Sequence, residues 1–423
     1  MKIAVIGSGI AGNVVAYHLH GAHQVVVYES ANYIGGHTHT HAIDLPGERL
    51  MVDTGFIVFN DWTYPHFVAL LAKLGVESQL SPMSFSVRNE TSGLEYNGTT
   101  LNTLFAQRRN LLRPSFYRML RDIVRFNREA PDLLTMATDI SLGTYLADHQ
   151  YSGEFITDYL VPMGAAIWSS DPARVLEFPA KFFVRFFHNH GMLSVNARPQ
   201  WRAIQGGSAC YVEKLVAPFH ERVRLNTPVE SVRRLRDHVL IKARGAEAER
   251  FDQVFFACHA DQALQLLADA TPLERQILGA IPYQKNQAVL HTDTSQLPRT
   301  RRAWAAWNYH VADGLAGPAT LTYNMNILQT LRSRETLCVT LNDDSHIDPT
   351  KIIKRLTYSH PLFTAAAVAA QRRQYEINGV QRSYFCGAYW RYGFHEDGVV
   401  SALNALKHFQ QYTDAQRDLS RVA

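Results

Sequence analysis

KIAVIGSGIAG, residues 2–12, is the stretch that decides the fold. The apolar run at residues 2–6 predicts a buried strand, and residues 10–20 predict a helix. Between them stands a Gly-x-Gly-x-x-Gly turn formed by Gly7, Gly9 and Gly12. Gly7 permits the tight turn, Gly9 lets a pyrophosphate approach the backbone, and Gly12 lets helix and strand pack closely. The first helical residues, Ile10 and Ala11, then present free amides and a partial positive charge to the phosphates.

A second strand is expected at residues 24–28, ending in Glu29 and followed by Ser30. Glu29 stands roughly 20 residues past the glycines, where a ribose hydroxyl pair needs an acceptor. A carboxylate there disfavours NADP, whose 2′-phosphate would meet negative charge. The turn alone leaves NAD and FAD open.

The residues behind Glu29 favour a flavin. ESANYIGGHTHTH, residues 29–41, places Gly35 and Gly36 after the acid. This pattern resembles the flavin-containing amine oxidoreductase superfamily, which includes amine oxidases, protoporphyrinogen oxidase and phytoene-type desaturases. A second glycine pair lets a second backbone segment close over an extended FAD. The superfamily usually has arginine after the pair; this chain has His37 and Thr38.

Further matches run along the chain. MVDTGFIVF (residues 51–59) resembles the segment lining the flavin ring, which implies contacts from Thr54, Gly55, Phe56 and Ile57. IQGGSACYVEKL (residues 204–215) resembles a Gly-Gly segment entering a helix, with Ser208 as N-cap. RLNTPVESV (residues 224–232) resembles the strand that meets the adenine, near Val229. FDQVFFACHA (residues 251–260) resembles the strand returning to the nucleotide domain. YFCGAYWRYGFHEDGVVSALNAL (residues 384–406) resembles the closing flavin motif, with a short strand ending at Gly387 and a helix starting near Gly398 and Val399. The superfamily's acidic residue after that first glycine is replaced by Ala388 and Tyr389, leaving Glu396 or Asp397 to hold the ribitol.

The resemblance implies an α/β fold: a discontinuous, Rossmann-like FAD-binding domain of the glutathione-reductase type, with an inserted α+β substrate domain. Residues 1–75, 200–262 and 375–423 would form the first, and 76–199 and 263–374 the second. With 423 residues the chain can bury large cores. No uninterrupted apolar run suggests a membrane span. The first strand starts at Lys2, so no secretory leader is expected. The four cysteines are scattered, which suits a reducing, cytoplasmic setting. The formal charge of +4 is small for this length, and no nucleic-acid module is present.

QRRNLLRPSFYRMLRDIVRFNRE (residues 107–129) is rich in arginine. Pro114 suits a helical first turn. Beyond it Arg118, Arg121, Arg125 and Arg128 recur along one face, beside Phe116, Leu120, Ile123, Val124 and Asn127. Two readings stand: a basic helix lying peripherally on the inner face of an anionic membrane, or a solvated face on a core-packed helix. KFFVRFFHNHGML (residues 181–193) and LVPMGAAIWSS (residues 160–170) give the insert an apolar character, suiting an apolar substrate. The aromatics Trp168, Trp304, Trp307, Tyr309, Tyr389 and Trp390 are candidates for a pocket wall.

His37, His39 and His41 would share one face of a strand. No carboxylate or cysteine clusters beside them, so no metal is assigned. Several amine oxidases hold a water at the flavin with a lysine, which the resemblance places at Lys285. As a base for a second hydrogen, the candidates are Lys285, His190 and Glu177.

The resemblance thus implies an FAD-dependent oxidoreductase in which a hydride passes to the flavin and dioxygen reoxidises it. The strings GGHTHT, VDTGFIVFN, LHTD and YWRYGFHEDG are similar to a bacterial branch allied to lipid modification, whose relatives desaturate methyl-branched fatty acyl chains towards furan fatty acids. The expected activity is therefore desaturation of a phospholipid-borne or free acyl chain. Amine oxidation, and a non-catalytic flavoprotein accessory to lipid methylation, are the alternatives. An NAD-dependent dehydrogenase leaves Gly35 and Gly36 unexplained.

Overall fold

The computed structural model describes residues 1–137, 139–194, 198–312 and 320–422, with side chains up to 414. Strand β1 (Lys2–Ile6) is followed by helix α1 (Ile10–Leu19) and strand β2 (Gln24–Tyr28). These form the centre of a five-stranded parallel sheet. Its order is Val223–Arg224, β2, β1, Gln253–Phe256 and Ser383–Phe385. Ile3, Ala4 and Val5 are fully buried, as are Val254, Phe255 and Phe256. Continuous apolar runs of this kind are what a parallel sheet covered on both faces requires. One face carries α1 and the closing helix, His395–Val422.

A seven-stranded sheet forms the second body. Its order is Ile352–Pro361, Tyr283–His291, Cys338–Leu341, Thr320–Asn324, Trp307–Val311, Phe85–Asn89 and Leu94–Asn97. All its pairings are antiparallel except that of Trp307–Val311 with Phe85–Asn89. Helices between residues 101 and 189 pack on it around one aromatic core. Among the described residues three smaller sheets complete the fold. Thr40–Leu45 pairs with Glu48–Asp53, Val229–Arg234 begins a three-stranded sheet, and Trp201–Ile204 lies between Val58–Asn60 and Ser78–Leu80.

Two local expectations are corrected. Ser208 stands at the N-cap of Ala209–Val216 but makes no capping bond; its hydroxyl donates to the Asp53 carboxylate at 2.7 Å instead. In the arginine-rich helix, Pro114–Glu129, the buried face is Phe116, Met119, Asp122 and Phe126. Leu120, Ile123 and Asn127 are only partly covered, and Val124 is 62% exposed. A buried carboxylate displaces the apolar stripe from where composition put it. Asp122 is held there by the Ser152 amide, which donates to it at 2.9 Å.

Among the described residues no helix is long and apolar enough to cross a membrane.

Candidate functional site

The site grows from the first turn of α1. Gly9 is its N-cap and supplies no side-chain bond. A Cβ added at Gly9 would meet nothing within 4 Å, so the helix start faces open space. The glycines around it work by close approach. A Cβ on Gly12 would lie 1.9 Å from the Gly7 carbonyl oxygen, and one on Gly7 would lie 2.7 Å from that of Ala257. Gly35 and Gly36 cross the turn from outside: Gly35 donates its amide to the Ser8 carbonyl at 3.0 Å. A Cβ on Gly36 would lie 3.1 Å from the Gly9 Cα. Both have positive φ, 135° and 60°. Gly398 arrives from the other end of the chain, and a Cβ there would strike Ile10 at 2.6 Å. Three distant glycine segments therefore meet at one helix N-terminus, and Val399 is buried against α1.

Glu29 closes the outer end. Its carboxylate accepts from the Ser8 amide at 2.9 Å and the Ala31 amide at 2.8 Å. The hydroxyls of Ser8 and Ser30 donate to it as well, at 2.6 and 3.3 Å. Hydroxyl rotors turn freely, so a ribose diol has acceptors to claim. Residues 224–229 run alongside: the Thr227 amide donates to the Glu29 carbonyl at 2.8 Å, two residues before Val229.

At the inner end the Phe56 amide donates to the His37 carbonyl at 2.7 Å, fixing the 54–57 segment against the glycine loop. Gly55 is obligatory there, since a Cβ would lie 2.1 Å from the same oxygen. Phe56 stacks on His395, centroids 3.7 Å apart. His395 Nε2 is hydrogen-bonded to Tyr211 Oη at 2.6 Å, and Tyr211 to Thr38 Oγ1 at 2.6 Å. His37 packs beside Tyr358 and His360, at 5.2 and 5.4 Å, with its Nε2 buried and unpartnered. Burial, then His259, lowers His37 to about 4; burial, then His37, lowers His360 and His395 to about 3. His259, stacked on Tyr283 at 4.5 Å, is lowered to about 4 by burial and His360. These four imidazoles are neutral at physiological pH.

His39 and His41 do face one way, their rings 4.1 Å apart. His41 begins a polar chain: Lys354 Nζ lies 3.1 Å from its Nδ1, its Nε2 lies 3.2 Å from Thr54 Oγ1, and Thr54 lies 2.7 Å from Tyr358 Oη. Among the described residues no group of three or more His, Cys, Asp or Glu is placed to hold a metal ion.

Both oxygens of Glu396 are taken, accepting from His66 Nδ1 at 2.7 Å and the Phe67 amide at 2.8 Å, so it caps the helix Pro65–Leu74. Asp397 accepts from the Phe394 amide at 2.9 Å and the Tyr392 amide at 3.2 Å. Both of those bonds go to Oδ2; the other oxygen of Asp397 faces the Arg391 guanidinium at 3.4 Å. Gly387 donates its amide to Ser401 Oγ at 2.9 Å. Lys285 and Glu177 are exposed; on the same strand as Lys285, Asn286 is the residue turned inward, its amide 2.9 Å from His360 Nδ1. Tyr389 and Trp390 belong to the core beneath the parallel sheet, not to a pocket wall.

Sequence reasoning did not reach Tyr211, His259, Tyr358, His360 or Asp53. Asp53 is fully buried and accepts from the Ser208 amide at 3.0 Å; burial pushes it up to about 6. Their only signal in the sequence is polarity inside apolar strings.

The open, uncapped helix start, the crossing glycine pair and the carboxylate about a strand's length away fit the diphosphate and ribose of an extended dinucleotide. Residues 10–293 match the family described as flavin containing amine oxidoreductase. The chain belongs to the flavin-containing amine oxidoreductases. It is an FAD-dependent oxidoreductase, with the α/β fold of that family. Cyclohexylamine oxidase from Brevibacterium oxydans IH-35A is similar over 97% of this chain and 99% of its own, at TM-score 0.69 and 17% identity. A protein from Exiguobacterium sp. 255-15 described as a protoporphyrinogen oxidase is similar over 98% and 99%, at TM-score 0.68 and 15% identity. A CLA-producing fatty acid isomerase from P. acnes is similar over 96% and 98%, at TM-score 0.61 and 14% identity. No curated protein matches the sequence.

Proposed function

We propose that this oxidoreductase desaturates an apolar acyl chain, with residues 1–75, 200–262 and 375–423 holding the cofactor and 76–199 and 263–374 holding the substrate. The observation that carries the reading is the surroundings of Phe394. It packs 5.1 Å from Phe186, while the next residue, His395, stacks on Phe56 of the 54–57 segment. Trp168 lies 4.8 Å from Phe186 and donates its Nε1 hydrogen to the Tyr392 carbonyl at 3.2 Å. Phe182 joins Phe363 and Tyr392, each at 4.9 Å. An aromatic shell from the insert thus abuts the segment assigned to the flavin ring, and a carbon chain is the substrate such a wall suits.

FAD, when bound, supplies the hydride acceptor, and dioxygen takes the electrons onward to peroxide. Hydride loss from an isolated alkane carbon is too costly. An allylic carbon beside a methyl-branched alkene leaves a delocalised cation on the substrate, and loss of a proton from the neighbouring carbon then gives the new double bond. Of the three candidate bases, His190 is the one inside the shell. It stacks on Phe186 at 3.8 Å and lies 6.2 Å from Phe394. Its Nδ1 hydrogen is donated to the Phe186 carbonyl at 2.9 Å, leaving Nε2 as a lone pair. Burial lowers it to about 4, so it is neutral and ready to accept a proton from so strong an acid as an allylic cation.

Amine oxidation calls for an aromatic pair facing the flavin and a water-binding lysine, and Lys285, the lysine the resemblance offers, is exposed. The likeness to a fatty acid isomerase supports the acyl reading only at the level of fold. The setting proposed is cytoplasmic. Holo-protein incubated under air with a methyl-branched unsaturated phospholipid should yield a product two hydrogens lighter. Unchanged lipid, with peroxide formed from a panel of amines, overturns the reading.

A further inference from the structure

The arginine stripe is mostly spent within the fold. Arg118 pairs with Glu154, Arg125 with Glu129 at 3.0 Å, and Arg128 with Glu129 at 3.1 Å; Arg125 also lies over the Tyr151 ring at 4.6 Å. Arg121 is the loosest of the four, 3.6 Å from Asp122 and 73% exposed. The charge without a carboxylate partner sits just upstream, in the turn of 3-10 helix Arg108–Leu112. Arg109 donates to the Gly93 carbonyl, Arg108 to the carbonyl of Phe105 and the side-chain oxygen of Asn102. Arg113 donates to the Ser92 carbonyl at 2.9 Å. Among the described residues none of these three forms an ion pair.

At the tip of the same turn two leucines stand in solvent: Leu112 is 89% exposed and Leu111 48%. Tyr117 anchors the turn by donating its hydroxyl hydrogen to the Leu111 carbonyl at 3.0 Å, and its ring stays half exposed. One helical heptad on lies exposed Val124, with Arg121 between them on the same face. Exposed leucines flanked in sequence by arginines that lack a carboxylate match a surface that is apolar beneath and anionic above.

We infer that residues 108–124 dock this protein on an anionic lipid bilayer, with Leu111 and Leu112 inserted and Arg108, Arg109, Arg113 and Arg121 at the headgroups. The surface would bring the protein to its substrate, and it rests on the acyl-chain reading only for that purpose. Its energetics stand alone: each cation near an anionic surface contributes about five-fold in affinity, and a buried leucine more than about tenfold.

The experiment is flotation of the holo-protein with vesicles of phosphatidylcholine, alone or mixed with phosphatidylglycerol. Binding is expected only to the mixed vesicles and is lost at high salt. Leu111→Ser with Leu112→Ser should weaken it more than about tenfold, and Arg121→Gln about five-fold. Flavin content and melting temperature should not move, because these side chains touch solvent. In Leu112→Trp, indole emission should shift blue on the mixed vesicles. Absence of binding, equal binding of the serine variant, or a change only in oligomeric state overturns the inference. Turnover of detergent-dispersed lipid without vesicle binding overturns docking alone. Vesicle binding without turnover supports docking and removes the desaturase reading.

Discussion

The parallel-sheet body and the helical insert are held together by different things. Around α1 the constraint is backbone against backbone: Gly12 on the Gly7 carbonyl, Gly36 on the Gly9 Cα, Gly55 on the His37 carbonyl. In the insert it is side chain against side chain: Phe183 on Phe187 at 4.3 Å, Phe182 on Phe363, Trp168 on Phe186. The first kind of contact tolerates one residue type. The second tolerates any set of apolar groups that fills the same volume. A glycine cradle is therefore coded position by position, whereas an aromatic core is coded as a quantity of carbon.

The largest effect that tests this contrast is Gly12→Val. A Cβ 1.9 Å from a main-chain oxygen cannot be relieved by a rotamer change, so no folded yellow protein should be recovered. A folded, flavin-loaded variant would break the comparison. Phe183→Ala, in the insert, should cost about 3–5 kcal/mol in chemical denaturation while the protein still folds and binds FAD. Equal loss of flavin there would show that the two bodies are not separately specified. His190→Gln keeps the volume and removes the proposed base. Acyl desaturation should fall about 100-fold with melting temperature little changed. An unaltered rate assigns the proton elsewhere.

Acid sharpens the picture with a smaller, graded effect. His37, His190, His259, His360 and His395 are held at about 3–4 in the fold, below the usual histidine value. Between that value and about pH 4 the unfolded chain binds more protons, so stability falls as pH falls. Asp53 and Asp397, raised to about 6 by burial, act in the opposite sense over part of the same range. His39, His41 and His291, also lowered to about 4 by burial, add to the histidine side, so a net loss remains. The melting temperature should drop from neutral pH to about pH 5. A flat or rising profile would mean that these rings are not buried neutral.

The same contrast explains what could be read in advance. Gly7, Gly9, Gly12, Gly35 and Gly36 announce themselves because a glycine at a fixed spacing has few other reasons to be there. The strands flanking them were legible from apolar runs too long to be surface. Glu396 and Asp397 could be placed at the closing helix from the sequence, but only the fold shows that His66 and Phe67 donate to Glu396. Lys285 and Asn286 differ by one register step, and a one-residue step reverses the face of a strand. Tyr211, Tyr358, His259 and His360 come from segments more than a hundred residues from the glycine turn. No local pattern links them.

The central claim is that FAD lies between the glycine cradle and the aromatic shell and takes hydride from an acyl chain there. Anaerobic mixing of holo-protein with a methyl-branched unsaturated phospholipid, followed by visible absorbance, tests it most directly. The account predicts bleaching of the flavin by the lipid and none by simple amines. A chromophore that amines bleach and the lipid leaves oxidised would contradict it.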